Sequence, residues 1–266
     1  MPPLDLSSRQ AIAARLRFYR ELGLTDLYRR PVDAIAVAAV SADEEILPSA
    51  GQAATRAEEQ AISFSKPAPA TPQTPVSVAA SGHAEALRLI REEMGDCTRC
   101  ALHKGRNKLV FGDGDPHARL MFVGEGPGAD EDAQGLPFVG RAGQLLNNMI
   151  AAMGLKREEL YIANVVKCRP PGNRTPEPEE AHTCGQFLLR QIDAVHPEIL
   201  VALGATAATY LLGQRQPLAG LRGKIHSVRS CRLIVTYHPA YLLRDPRQKK
   251  EAWLDLQIAM KELGLK

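Results

Sequence analysis

Arg119-Leu-Met-Phe-Val-Gly124 runs directly into Glu125-Gly126-Pro127-Gly128-Ala129-Asp130-Glu131-Asp132, and this junction decides the fold class. An apolar run with no polar alternation reads as a short strand buried on both faces. The glycines behind it let the backbone approach a ligand closely and point amides at it. Outward from the junction the same unit recurs. Residues 141–153 form an amphipathic helix, with Ala142, Leu145, Leu146, Met149, Ile150 and Met153 on one face and Gly154 to end it. Residues 160–166 form a second strand, 198–204 a third and 231–237 a fourth. Helices are expected over 83–94, 205–212 and 245–263. Another begins at Pro176 with Thr175 as its cap, and buries Ala181, Cys184, Leu188, Gln191 or Ile192, and Val195. Strand–helix alternation with non-alternating strands predicts an α/β fold whose parallel sheet is covered on both faces. Ligand sites in such folds lie at the carboxyl ends of the strands.

The amino-terminal third reads differently. Ser8 can cap a short helix carrying Ile12, Leu16 and Tyr19, with Gly23 where it stops. Around 48–81 the chain is rich in Ala, Ser, Thr and Gln, with Pro67, Pro69, Pro72 and Pro75 closely spaced. Such a stretch buries too little apolar surface to offset its ordering entropy and reads as a tether. The expected organisation is therefore a helical segment over 1–47, a linker over 48–81 and one domain over 82–266.

Composition narrows the class. The chain has 266 residues, 45% hydrophobic and 24% charged, which suits a soluble globular protein. No apolar run is long enough to cross a bilayer. The first residues lack the basic-then-apolar layout of a signal peptide, so cytoplasm is the expected compartment. The net charge of +3 is unevenly spread: −1 over residues 1–90 and +4 over the rest. That excess is compatible with a polyanionic partner without requiring one.

Five cysteines are present, and a reducing compartment argues against a disulfide framework. Cys97 and Cys100 form a C-x2-C pair, Cys168 and Cys184 follow far downstream, and Cys231 sits inside a strand. Buried thiols, a four-cysteine zinc site and an iron–sulfur cluster all fit these residue types. The second pair is not a zinc-ribbon knuckle, which tilts the balance slightly towards a cluster.

Three loops at strand ends carry the candidate chemistry. The first contains Glu125 and Gly126 and continues through Glu131 to Gly135-Leu-Pro-Phe138-Val-Gly140-Arg-Ala-Gly143. It is neither a Walker loop nor a dinucleotide fingerprint. An aromatic ring in such a loop suits stacking on a flat ring, or it is simply core. The second starts at Asn164, whose amide can read a donor and an acceptor on one base edge or cap a turn. It continues through Lys167-Cys168-Arg169-Pro-Pro-Gly-Asn173-Arg174-Thr175-Pro. The third is His238-Pro239-Ala-Tyr241-Leu242-Leu243-Arg244, where a histidine can donate to a developing anion or be a satisfied core residue.

In this order the segments resemble the family 4 uracil-DNA glycosylases, the iron–sulfur branch of that superfamily, from about residue 92 to residue 263. The resemblance rests on Cys97-x2-Cys100, Gly-Glu-Gly-Pro-Gly-Ala-Asp-Glu-Asp, Gly-x-Pro-Phe-Val-Gly-Arg-Ala-Gly, Asn-Val-Val-Lys-Cys-Arg-Pro-Pro-x-Asn-Arg-x-Pro, Cys184 and His-Pro-Ala-Tyr. It implies a three-layer α/β/α fold around a four-stranded parallel sheet. It implies a structural [4Fe–4S] cluster held by Cys97, Cys100, Cys168 and Cys184, with Cys231 left in the core. It further implies a monofunctional, monomeric enzyme that flips uracil out of single- or double-stranded DNA and hydrolyses its N-glycosidic bond.

By the same carry-over Phe138 stacks on the base, Asn164 reads its edge and His238 meets uracil O2. Glu131 excludes a methyl at C5, Leu242 is the wedge into the duplex, and Arg174 and Arg244 contact phosphates. Family 1 enzymes carry a water-positioning Asp where this chain has Gly126. Water activation therefore falls to Glu125 with backbone carbonyls, or the path is largely dissociative. A related branch attaches covalently to DNA through a histidine in a longer second loop, whereas residues 169–175 contain none and His182 lies on the following helix. Three alternatives remain: a catalytically inactive iron–sulfur nucleic-acid-binding module, the covalent relative, and a redox-sensing protein. Residues 1–80 lie outside the resemblance and suit tethering or binding a protein partner.

Overall fold

Six strands build one sheet in the computed structural model, which describes residues 12, 13, 15–17, 19, 20 and 82–265. They are β1 (Asp113–Gly114), β2 (Leu120–Gly124), β3 (Tyr161–Asn164), β4 (Ile199–Leu203), β5 (Ile225–Val228) and β6 (Cys231–Thr236), in the order β1-β3-β2-β4-β6-β5. The four inner strands run parallel and are buried along almost their whole length, as their unbroken apolar runs predict.

Helices cover both faces: α1 (His83–Met94), α2 (Ala129–Gln134), α3 (Arg141–Ala152), α4 (Pro178–Val195), α5 (Ala205–Leu212), α6 (Leu218–Leu221), α7 (Pro239–Arg244) and α8 (Lys249–Glu262). Met121, Val123, Ala163, Leu200, Ala202, Leu233 and Val235 share one core with α1, α4 and α5. Leu120, Phe122, Ile162, Val201 and Ile234 share the other with α3 and α8. Successive strand residues point to opposite faces, so each strand feeds both cores and the α/β/α layering follows.

The sheet has six strands rather than the expected four, because both edges carry an antiparallel strand. β1 is two residues long, too short to leave a hydrophobic pattern. β5 joins β6 through Arg229 and Ser230, with Arg229 at φ +53°, the tight hairpin that favours positive φ. Its side chains are mostly exposed, so no apolar run announces it. The helix expected from Pro176 starts two residues later, at Pro178 with Glu177 as its cap. Glu180 decides this: its carboxylate accepts the Glu177 amide at 2.8 Å, a reciprocal bond that a start at Pro176 would not offer. Ser8, Gly23 and the tether over 48–81 lie outside the described residues. Within the amino-terminal helical residues, Arg15 Nε donates to the Ala152 carbonyl at 2.9 Å and Tyr19 meets the Trp253 ring edge-on. No helix among the described residues is long and apolar enough to cross a membrane.

Chain order makes the site. From β2 the chain crosses to β3 on one side, then returns to β4 on the other. The connection leaving β2 runs to one side and the connection leaving β4 runs to the other, towards β6, and such a switch opens a crevice at the carboxyl ends.

Candidate functional site

The crevice is a cavity of about 430 Å³ lined by Glu125, Gly126, Glu131, Phe138, Asn164, Arg174, His238 and Arg244, together with Asn173 and Tyr241. The three motif loops thus converge. Leu242 does not join them: it is 1% exposed and packed in the core, whereas Leu243 beside it is 42% exposed. A side chain that enters a duplex must be accessible, and Leu242, the expected wedge, is not accessible in this conformation. His182 is exposed on α4 and does not line the cavity.

Asn164 ends β3 and is 1% exposed. Its Oδ1 has no hydrogen-bond partner, an arrangement that costs about 1–3 kcal/mol unless a ligand supplies a donor. Gly124 ends the neighbouring strand, paired with Asn164 in register. A Cβ at Gly124 would stand 2.6 Å from Phe138 Cζ and would also strike the Asn164 amide, so glycine keeps the space between ring and amide open. Gly126 is equally constrained: a Cβ there would meet Val166 Cγ2 at 2.7 Å. An aspartate at this position would need the loop to move.

Phe138 holds φ +52°, which is uncommon for a bulky residue and marks a conformation imposed by its surroundings. Its ring lies 5.6 Å from that of His238, tilted by 34°. Glu131 is one of the constraints. Its carboxylate accepts the amides of Gly128 at 3.0 Å, Val139 at 2.9 Å and Gly140 at 3.1 Å. The adjacent Asp132, fully buried, accepts the Asn107 amide at 2.9 Å and so ties this loop to the segment after the first cysteine pair.

His238 caps α7, and its Nδ1 accepts the Ala240 amide at 3.1 Å. That bond leaves Nε2 to carry the proton in the neutral ring. Burial pushes the imidazole down to about 4, helped by the Arg244 charge and opposed by Glu131. At neutral pH the residue is therefore an uncharged donor. Arg174 is half-engaged: it holds Glu180 with two bonds, at 2.8 and 2.9 Å. Arg244 is exposed at the rim.

On the other side of the β3 loop, Cys97, Cys100, Cys168 and Cys184 line one small cavity together with Lys167, while Cys231 stays in the core. All five cysteines are free thiols. Among the described residues, no three His, Cys, Asp or Glu side chains converge as ligands of a single ion would. Donors already face three of the four cavity-lining sulfurs: Arg99 reaches Cys97 at 3.5 Å, Arg106 reaches Cys168 at 3.3 Å, and the Lys167 amide reaches Cys184 at 3.2 Å.

Lys167 is 1% exposed and bonds the Asn164 carbonyl at 2.8 Å and Gln191 at 2.5 Å, with no carboxylate paired to it. Burial lowers its ammonium to about 7, opposed by Cys184, while burial raises the Cys184 thiol to about 12. Two arginines and a buried lysine around four thiols make a cage suited to an anionic, thiolate-ligated group.

Sequence reading had placed no role on Arg157, Lys167, Asp132 or the Ala240 amide. Lys167 lies in the segment Asn164-Val-Val-Lys167-Cys168, where its lack of a nearby acid is the available signal. Arg157 carried none.

Residues 111–257 match the model of the Uracil DNA glycosylase superfamily. The type-4 uracil-DNA glycosylase of Thermotoga maritima is 48% identical over 163 residues, covering 60% of this chain and 85% of that protein. That of Archaeoglobus fulgidus is 43% identical over 63% of this chain and 88% of its own length. The Pyrobaculum aerophilum enzyme is also 43% identical, over 65% of this chain and 92% of its own length. With a matched domain over half the chain and loops that meet in one crevice, the protein belongs to the uracil-DNA glycosylase superfamily, in its type-4 branch.

Proposed function

We propose that the protein excises uracil from DNA by hydrolysing the N-glycosidic bond of a flipped nucleotide, leaving an abasic site. The observation that carries this reading is the open, buried Asn164 Oδ1 in a cavity that the Phe138 ring and the neutral His238 also line. Uracil presents a donor at N3 between acceptors at O2 and O4, so one amide can accept from N3–H and donate to O4. Phe138 stacks on the ring. His238 donates through Nε2 to O2 as negative charge develops there; a preorganised donor of this kind is worth roughly 10²–10³ in rate. Its depressed pKa supports the assignment, because a neutral donor needs no change of protonation during the reaction.

Extrusion of the base costs roughly a few kcal/mol. Arg244 and Arg174 offset part of it by holding phosphates, Arg174 from its bonds with Glu180. The exposed Leu243, rather than Leu242, is the wedge. Glu131 stands beside C5 and excludes a methyl while it anchors the Phe138 loop. Glu125 at the cavity wall, with backbone carbonyls, orients water. The crowding at Gly126 supports a site that stabilises the leaving base more than it activates water.

The four cysteines of the cage hold a structural [4Fe–4S] cluster in this reading. It would supply cross-linking of α1, the β3 loop and α4, and no redox step. Four cysteines lining one small cavity, with arginine and amide donors facing three of the sulfurs, support a thiolate-ligated group there. The position of His182 away from the cavity, and the lack of a histidine in the β3 loop, favour hydrolysis over covalent attachment.

The test is direct. Purified full-length protein is incubated with uracil-containing single- and double-stranded oligonucleotides, and abasic sites are cleaved with alkali. Strand breaks at uracil are expected from a brown protein with visible absorbance. No breaks over a wide range of enzyme concentration would overturn the activity, and a colourless active protein would overturn the cluster.

A further inference from the structure

We propose that Arg157 is a positioning residue for excision, fixing the Phe138 ring at the angle at which it meets the base. The inference rests on the assignment of Phe138 as the stacking ring. Arg157 opens a 3-10 turn, Arg157–Glu159, just before β3; it does not line the cavity and belongs to none of the motifs. Yet its guanidinium takes hold of the backbone that carries the ring. Nη2 donates to the Pro137 carbonyl at 2.5 Å and Nη1 to the Phe138 carbonyl at 3.1 Å. Nη1 also meets Asn147 Oδ1 at 3.0 Å, and Asp113 lies 3.7 Å away.

From the other side Glu131 accepts the next two amides, those of Val139 and Gly140. Two carbonyls held by a cation, followed by two amides held by an anion, leave the peptides around Phe138 no alternative hydrogen-bonding arrangement. This bracket accounts for the φ of +52°, which an aromatic residue does not adopt unaided. The planar fork of arginine suits the task, because one rigid group can bridge successive carbonyls where a lysine offers a single point charge. Burial works against the charge of Arg157, so the position is not simply a convenient surface for a cation.

A bracket of this kind predicts coupling. In the full-length protein, kcat and KM on a uracil oligonucleotide, inhibition by free uracil and thermal unfolding are measured for Arg157→Met, Arg157→Lys, Phe138→Leu and the Arg157→Met/Phe138→Leu double variant. Arg157→Met is expected to lower kcat and weaken free-uracil inhibition, each by roughly ten- to a hundredfold, the scale of a misplaced group. Arg157→Lys recovers only part of this. In the Phe138→Leu background Arg157→Met changes neither quantity further.

Full additivity of the two substitutions would overturn the proposal. So would a loss of activity that merely follows the unfolded fraction at the assay temperature. If Phe138→Leu alone left both kcat/KM and uracil inhibition intact, the stacking assignment itself would fail, an outcome distinct from additivity.

Discussion

Asn164 and Cys168 lie four residues apart on one segment, yet they face sites built on opposite plans. The crevice on the Asn164 side keeps a buried acceptor vacant and a glycine where any side chain would fill the gap. The cage on the Cys168 side leaves little open: arginines and a backbone amide face its sulfurs, and the buried Lys167 lines it. Vacancy in one and saturation in the other fit the proposed function, in which a base comes and goes in the first and a cluster stays in the second. Lys167 joins the two, since its ammonium holds the Asn164 carbonyl while its amide faces Cys184.

The largest expected effect breaks the cage. Cys168→Ser should bleach the visible absorbance and destabilise the fold, because metal binding to preorganised thiolates is folding free energy. A loss of about 5 kcal/mol corresponds to a drop in Tm of roughly 10–20 °C for a domain of this size. Below the lowered Tm, excision should persist in the fraction that remains folded. A bleached variant with unchanged Tm would show that the cage is not structural.

Next in size is the vacancy itself. Asn164→Ala should reduce kcat by about 10²–10³ while colour and Tm are retained, since the Oδ1 removed has no hydrogen-bond partner to lose. Retained activity would end the assignment of Asn164 as the reader; a parallel loss of colour would mean that the two sites are not separable.

His238 adds a smaller, pH-dependent difference that belongs to the crevice alone. In the fold its pKa lies near 4, against about 6.5 in an unfolded chain. Between these values the unfolded state binds the extra proton, so stability falls as pH is lowered from about 6.5 to 4, by up to roughly 3 kcal/mol. Above pH 6.5 this contribution is flat. Chemical denaturation of wild type and His238→Gln across pH 4–8 should show the slope in the first and a reduced slope in the second. Equal slopes would mean that His238 titrates normally, and its role as a neutral donor would lose its support.

The same contrast explains what could be read without coordinates. The inner strands were legible because both their faces are buried, which leaves unbroken apolar runs such as Leu120 to Val123. α2 was not, because the side chains it buries are Glu131 and Asp132, acids that spoil a hydrophobic period although each is matched by backbone donors. β1 and β5 were missed for want of length and burial. Within the site, loops at strand ends followed from topology, and the residue roles followed from motif resemblance. The burial of Leu242 beside an exposed Leu243 was not legible, because a six-residue helix does not announce which of two leucines faces inward. Arg157 was invisible because its partners on the Phe138 loop are backbone carbonyls, and a backbone carbonyl leaves no trace in residue identity.

Cys231 provides the smallest effect and the sharpest control on the comparison. It is as buried as Cys168 and equally free, and burial raises both thiols, so residue type and environment alone do not tell them apart. Position does: Cys231 opens β6, paired with Val228 across the hairpin, and does not line the cage. Cys231→Ser exchanges a small buried hydrophobe for a hydroxyl, a cost of about 1–2 kcal/mol, with colour and excision kept. If that substitution bleached the protein, a fifth sulfur would be serving the cage, and the boundary drawn here between saturated cage and passive core would have to move.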